Sequence, residues 1–525
     1  MKPIKSLLNL LLVASLITGF YSCSKDEDPE TLPPTLSFTG GNNATAERGQ
    51  SVEIVLNLTA QGKIQSLTAN GVAVSGITVG AVTQQITFNF TVPVTANLGP
   101  LAIEFVLEDQ QGRTATATFT INVIGSTIEV TNDITTNTTW EEGNVYILNN
   151  TIKVENATLT VEKGVTIQAV DDGKPVQDPT KSIVALYIEP SGKLIAEGEP
   201  NKPIVFTVNA SSPMPGMWRG IVMKGDPLSA NHNAGSLKYV RIEYGGGDES
   251  NPASDKGALT IVNAGMSTKV DYVQVFKSLG EGFRIEGSTI ALTNCISTEN
   301  IKSNLNIRHT GTSGEGNVVH TNLYLQRFIS HNSTVNKDSR DILMSNPPSG
   351  FNGNTLTAAN VTLLGPGVSF TAPDGSPSTA DGMRAESRSG KVLIYNTIVA
   401  EFPEDGIRLS NNVPESRIEY SYFFKIGGTD PTGIPSLGNS TALRENAVQF
   451  ADPSYNNNIN PTTTIIAGIG VNDFTPNTVQ TSTFNPTTLN DAIFTFQAFQ
   501  YVGAIGTSDW TTGGWAKNAD GTIRN

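Results

Sequence analysis

Only two cysteines and four histidines occur among the 525 residues. Two thiols cannot build a disulfide framework or a thiolate metal cluster. The histidines His232, His309, His320 and His331 show none of the spacings that hold a metal. Positive charge is also scarce: 34 lysines and arginines face 48 acids, for a formal charge of -14. That balance disfavours nucleic acids and other polyanions over most of the surface. Past residue 21 no apolar run is long enough to span a bilayer. There is no phosphate loop and no nucleic-acid module. The sequences Gly-His-Gly and Arg-Ile-Lys are missing too. Charged residues of both signs make up only 16% of the chain, while Thr, Asn, Gly and Val are plentiful. This is the composition of an extracellular β protein.

One of the two cysteines has a telling position. Lys2 and Lys5 open the chain, and residues 7–21 (LLNLLLVASLITGFY) are apolar. At about 1.5 Å per residue this run falls short of a hydrocarbon core of roughly 30 Å, so it reads as a signal-peptide core rather than a span. It ends on Thr18-Gly19-Phe20-Tyr21-Ser22-Cys23, which resembles a relaxed lipobox of bacterial lipoproteins of the Bacteroidetes type. The resemblance implies cleavage after residue 22 and acylation of Cys23, and several acyl chains together hold a protein on a membrane. The next residues, Ser24, Lys25, Asp26, Glu27 and Asp28, resemble the acidic signal that exports such lipoproteins to the outer face of the outer membrane. Residues 23–33 are then an extended linker, kept open by charge and by Pro29 and Pro33. Cys295, in ALTNCISTEN, reads as a small buried strand residue.

Two β architectures follow in series. Over residues 34–125, SVEIVLNLTA, QQITFNFTVPV, LAIEFVLED and TATATFTINV place apolar residues at every second position. Glu108-Asp109-Gln110-Gln111-Gly112 marks a turn between the last two strands. Short strands in such a series predict a β-sandwich, and LEDQQGRTATATFTINV resembles the final hairpin of bacterial immunoglobulin-like domains. From residue 126 the pattern changes. Segments such as LKYVRIEY, GALTIVNAG, KVDYVQVF, TIALTNCIS and KVLIYNTIV recur with Asn- and Gly-rich corners every 20 to 30 residues or so, the mark of a solenoid. The expected fold is all-β: a small Ig-like sandwich followed, over residues 126–525, by a right-handed parallel β-helix. Trp510 and Trp515 are expected to cap its C-terminal rungs.

The stretches LTVEKGVTIQAV, PSGKLIAEGEPNKPIVFT, WRGI, VRIEYGGG, GALTI, DYVQV and YVGAIGTSDWTTGGW resemble a Bacteroidetes family of exported β-helix proteins with a pectate-lyase-like solenoid, over residues 140–515 or so. The likeness implies fold and address more than activity. Family members often carry doubled acids before G-F, and a second acidic cluster one turn on. Here the first site reads LGEGFRIEG and the second IKSNLNIRHTG, with no acid.

The candidate binding face is a recurrence of arginine after an inward apolar residue: Arg284, Arg308, Arg384 and Arg408. In a strand such residues point outward. Stacked guanidinium groups repel unless acids or a bound anion neutralise them. Glu281, Asp381 and Asp405, each three positions before an arginine, offer the first solution; a groove for acidic sugars is the second. Asp248, Glu249 and Asp255 form an acidic loop, open to Ca²⁺ but matching no defined calcium loop; Asp171 and Asp172 are a weaker version. No other cofactor is expected. His309 beside Arg308 is the one histidine in a suggestive place. Trp218 is expected to pack beneath a loop or plug a helix end rather than stack on sugar. No converging acid–base set is evident. The expected role is therefore binding or adhesion, with glycan as partner, by a lipid-anchored protein facing outside the cell. The alternatives are a polysaccharide lyase or glycoside hydrolase on the solenoid flank, and an accessory lipoprotein of a nutrient-uptake complex.

Overall fold

Alternating apolar and Thr/Asn/Gln residues make strands throughout the computed structural model, which describes residues 32–176, 178–229, 231–247, 256–311, 318–333, 339–348, 353–409, 415–426, 452–459 and 475–525. The leader, Cys23 and residues 24–28 lie outside the described residues. The chain divides into two units at Ile124 and Gly125.

In the first unit, Thr35–Phe38, Ser51–Thr59 and Thr83–Thr91 form one antiparallel sheet. Asn43–Glu47, Thr114–Ile124, Gly99–Asp109, Ile64–Ala69 and Val72–Ala73 form a second sheet, in that order, antiparallel except that Asn43–Glu47 runs parallel to Thr114–Ile124. Ile54, Leu56 and Leu58 of the first sheet share one core with Leu67, Ile103, Phe105 and Phe119 of the second. Phe38 and Phe88 meet Phe105 edge-on at 5.8 and 5.3 Å. This is a two-sheet sandwich. Its last turn is held by buried Asp109, which accepts the backbone N–H groups of Gln111 and Arg113, both at 3.0 Å. The Arg113 guanidinium closes on the same carboxylate at 2.7 Å.

The second unit winds. Among the described residues nine parallel strands, Ile152–Val154, Ala185–Ile188, Gly220–Lys224, Leu259–Val262, Phe283–Glu286, Leu305–Arg308, Arg340–Met344, Asp381–Ala385 and Ile407–Leu409, pair each with the strand one turn on. A seventeen-stranded sheet takes up the rest of each turn. Inward residues stack in register: Leu259, Phe283, Leu305, Ile342, Met383 and Ile407 form one fully buried column. Adjacent strands lie about 4.8 Å apart, so a large side chain on each rung excludes water along the axis, and each contributes about 1.5–3 kcal/mol by burial. At Gly220 the rungs come too close for any side chain: a Cβ there would sit 2.0 Å from the Ala258 carbonyl oxygen.

Midway along the unit, single strands turn a corner without breaking. Gly235–Glu243, Lys269–Phe276, Thr289–Thr298, Asn322–His331 and Thr355–Leu364 each bend at one left-handed residue. Those residues are Tyr239, Tyr272, Asn294, Arg327 and Asn360, continued by Asn396 and Tyr420, with φ between 49° and 58°. The flanking register stacks all seven in one outward column.

Residues 475–525 run along this corner as a strap. Phe484 stacks on Tyr395 at 4.2 Å. Asn360 donates to the carbonyls of Tyr501 (2.6 Å) and Phe499 (3.0 Å). Gln326 and Gln497 exchange hydrogen bonds, as do Gln274 and Lys517. Trp510 and Trp515 meet Tyr272 edge-on at 5.9 and 5.8 Å. The expectation that these tryptophans cap the last rungs is therefore corrected. They seal a flank near the middle turns, because the aromatic corner residues Tyr239 and Tyr272 offer them a surface there.

Candidate functional site

The nine-stranded sheet shows one face to the core and the other outward. Outward positions in one column are Arg284, Asn306, Leu343, Arg384 and Arg408. Three of the four expected arginines thus share a register. Arg308 does not: it stands one outward position further along its strand, opposite Glu286. The repeated apolar-Arg pattern missed this because LNIR carries two outward residues, and Asn306 occupies the column.

Carboxylates from within the protein meet these guanidinium groups. Arg284 contacts Glu281 at 3.0 Å and Glu286 at 2.6 Å, and Arg308 reaches Glu286 at 3.2 Å. Arg384 lies 2.7 Å from Asp381 and 4.0 Å from Glu404. Arg340 also approaches Asp381, at 3.8 Å, and Arg408 lies 3.9 Å from Asp405. Asp381 Oδ2 makes its close contact with Arg384 without hydrogen-bond alignment, so the attraction is coulombic in character. Asn306 donates to Glu281 at 2.5 Å and accepts from Ser345 at 2.9 Å, which joins neighbouring rungs.

Burial sets the electrostatics. Asp381 and Asp405 are 0% and 1% exposed, whereas the Arg308 side chain is 34% exposed. Burial pushes the Asp381 carboxyl up to about 7; Asp405 and Glu404 add to the effect, and Arg384 and Arg340 oppose it. Burial works against the charge on Arg284 as well, but Glu281 and Glu286 outweigh it and raise its pKa. The face is a ladder of charged donors whose acids lie mostly beneath them.

The remaining candidates fall elsewhere. Asp248, Glu249 and Asp255 lie outside the described residues. Asp171 and Asp172 close on the buried ammonium of Lys181, with Asp172 at 3.1 Å. Burial opposes the charge on Asp172, but the Ser182 and Lys174 amides and Lys181 prevail and hold it near 2. The weaker calcium position thus already has a cation, one of the chain's own. Among the described residues no three His, Cys, Asp or Glu side chains converge for a metal. Burial lowers the pKa of both His309 and His320, and Arg308 and His320 add to the effect at His309. His331 Nδ1 lies 2.9 Å from the Leu364 carbonyl. Trp218 is fully buried in the core and donates to the Glu243 carbonyl at 2.7 Å. Cys295 is also fully buried, and burial pushes its thiol up, away from nucleophilic character.

Glu286, Asn306, Arg340 and Glu404 were not singled out from sequence. Their signal was weak: each becomes a ladder member only through pairing with a strand one turn away.

A wound stack of parallel strands with a charged outer column defines a parallel β-helix. The model of the pectate-lyase like beta helix domain matches residues 132–231 and 227–472, and the chain belongs to that family. No curated protein and no solved structure matches it.

Proposed function

We propose that this protein is a lipid-anchored component of a bacterial outer membrane, displayed outside the cell, whose β-helix binds glycan without cutting it. A pectate-lyase-like domain supports a carbohydrate-related role. The observation that carries the binding reading is the ladder itself: Arg284, Arg384 and Arg408 stand at one outward position, with Asp381 and Asp405 almost wholly covered. Planar guanidinium groups anchored by acids present fixed N–H donors to hydroxyl or carboxylate oxygens. Carboxylates this covered are poorly placed to reach a sugar.

The test is a binding titration of the purified protein with acidic and neutral oligosaccharides, repeated for the Arg308→Gln/Arg408→Gln double variant. Those two arginines are the most exposed of the four; Glu286 keeps Arg284 when Arg308 is replaced, and the unfolding midpoint of the variant checks that covered Asp405 tolerates the loss of Arg408. The reading expects binding in the parent and a weakened signal in the variant; equal binding by both removes the ladder as the site. Acyl mass on a peptide beginning at Cys23, lost in Cys23→Ser, tests the anchor.

One observation favours a second reading, a lyase or hydrolase on the same flank: the Asp381 carboxyl, pushed up to about 7, can take up and release a proton near neutral pH, as a general acid must. New reducing ends or an unsaturated product, abolished in Asp381→Asn, would establish it.

A further inference from the structure

The strap and the corner column enclose a cavity of about 480 Å³, within the range of roughly 300–1,000 Å³ usual for small-molecule sites. Tyr239, Tyr272, Phe499, Tyr501 and Trp510 supply apolar walls, and Arg327 is the basic group among them. Its lining residues include none of Arg284, Arg308, Arg384 or Arg408.

Arg327 is unlike the ladder arginines. Its guanidinium carbon sits 4.8 Å from the Phe499 ring centre and 5.1 Å from that of Trp510. Its Nε is buried without a hydrogen-bond partner, and no carboxylate among the described residues pairs with it. The one acid lining the cavity, Asp509, is already held by Arg524 at 3.0 Å and by the Thr511 amide at 2.9 Å. A partly buried cation whose Nε is shielded from water and has no partner is costly, and aromatic faces offset only part of that cost. In a chain this acidic, an arginine kept clear of acids marks a place for an outside anion.

The walls say what else the anion carries. Tyr239 and Tyr272 are stacked, with centres 4.4 Å apart, and Trp510 stands across from Tyr272. Flat aromatic surfaces of this kind cover the C–H face of a ring. Burial, with the neighbouring Tyr272, pushes the Tyr239 phenol up to about 12, and burial raises Tyr501 as well. Both phenols therefore stay neutral and can donate, adding no negative charge. Thr507 and Ser508, at the lip, are exposed, so the cavity is reached from solvent.

We infer that this cavity is a binding site for a singly charged acidic sugar unit, carboxylated or sulfated, whose anionic group is taken by Arg327 and whose ring lies against the tyrosine and tryptophan faces. The site is separate from the arginine ladder and does not depend on it.

The experiment is a titration of the purified protein, followed by tryptophan fluorescence, with three probes: a hexuronate oligosaccharide, a sulfated one and a neutral one. A saturable change with either acidic probe, and one at least about ten-fold weaker with the neutral probe, is expected. A response to one acid alone identifies the anion; a response to both identifies the shared charge. Arg327→Gln removes a charge-assisted hydrogen bond, so affinity should fall about ten-fold or more. Ser508→Trp, at the exposed lip, should block binding while leaving the interior untouched. Arg308→Gln/Arg408→Gln should bind these probes at this site as the parent does, which separates this result from the fate of the ladder. No saturable change with either acid, neutral binding as tight as acidic, or unchanged affinity in both Arg327→Gln and Ser508→Trp would overturn the inference.

Discussion

Two flanks of the same solenoid use stacked outward positions in opposite ways. On the nine-stranded sheet, each arginine of the ladder meets an acid of its own turn or a neighbouring one. At the corner, the outward column is capped by a separate segment, and Arg327 meets rings instead of carboxylates. A parallel β-helix repeats any outward residue at close spacing, so like charges cannot simply be stacked. They must be neutralised within the protein or spaced by other residue types. The first flank does the former and gains a rigid charged face. The second does the latter: Asn294 and Asn360 flank Arg327 in the column, and its charge is left for something else.

Changes that disturb this contrast should rank by how much they uncover. Trp515→Ala empties a fully buried site beneath the strap and should cost about 3–5 kcal/mol, read by denaturant unfolding, with faster proteolysis within residues 475–525. Asp381 gives a pH signature. Its folded pKa is raised to about 7 from 3.8, so the folded protein binds this proton more tightly than the unfolded chain does. The stability it contributes is complete below about pH 4 and is lost as pH rises to about 7, a swing of roughly 4 kcal/mol at most. Asp381→Asn should flatten the pH dependence of unfolding across that window; an unchanged slope assigns it to other groups. Asn360→Ala leaves the Phe499 and Tyr501 carbonyls without their donor and should cost about 1–3 kcal/mol, seen as a lower midpoint. Arg308→Gln, at the exposed edge of the ladder, should shift stability by no more than about 1 kcal/mol, which makes it the control for the others.

How far the sequence reached depends on what each feature needs. Period-two alternation gave the strands of both units, because inward and outward residues differ chemically at every step. The turn at residues 108–112 was legible from its polar run, and Asp109 proved to be its anchor. The corner column left a trace that went unread. In KVDYVQVF, TIALTNCIS and NLYLQRF two outward residues interrupt the alternation, at Asp271-Tyr272, Thr293-Asn294 and Gln326-Arg327, and the second of each pair is the left-handed residue. The ladder was half legible. An arginine after an inward residue could be seen, but the register that puts Asn306 rather than Arg308 beside Arg284 depends on pairing between turns. The strap was illegible, since residues 475–525 have little alternation of their own and find their place only against aromatic corners contributed by distant turns.

The claim at the centre is that the arginine ladder holds sugar and leaves it whole. Calorimetry of the purified protein with a panel of acidic and neutral oligosaccharides, with the sugar recovered afterwards and sized, tests it in one step. With the strap cavity silenced by Arg327→Gln, saturable heat that is lost when Arg308→Gln/Arg408→Gln is added, with oligosaccharide of unchanged length, is the predicted result. Shortened or unsaturated sugar, or heat indifferent to those two substitutions, would contradict it.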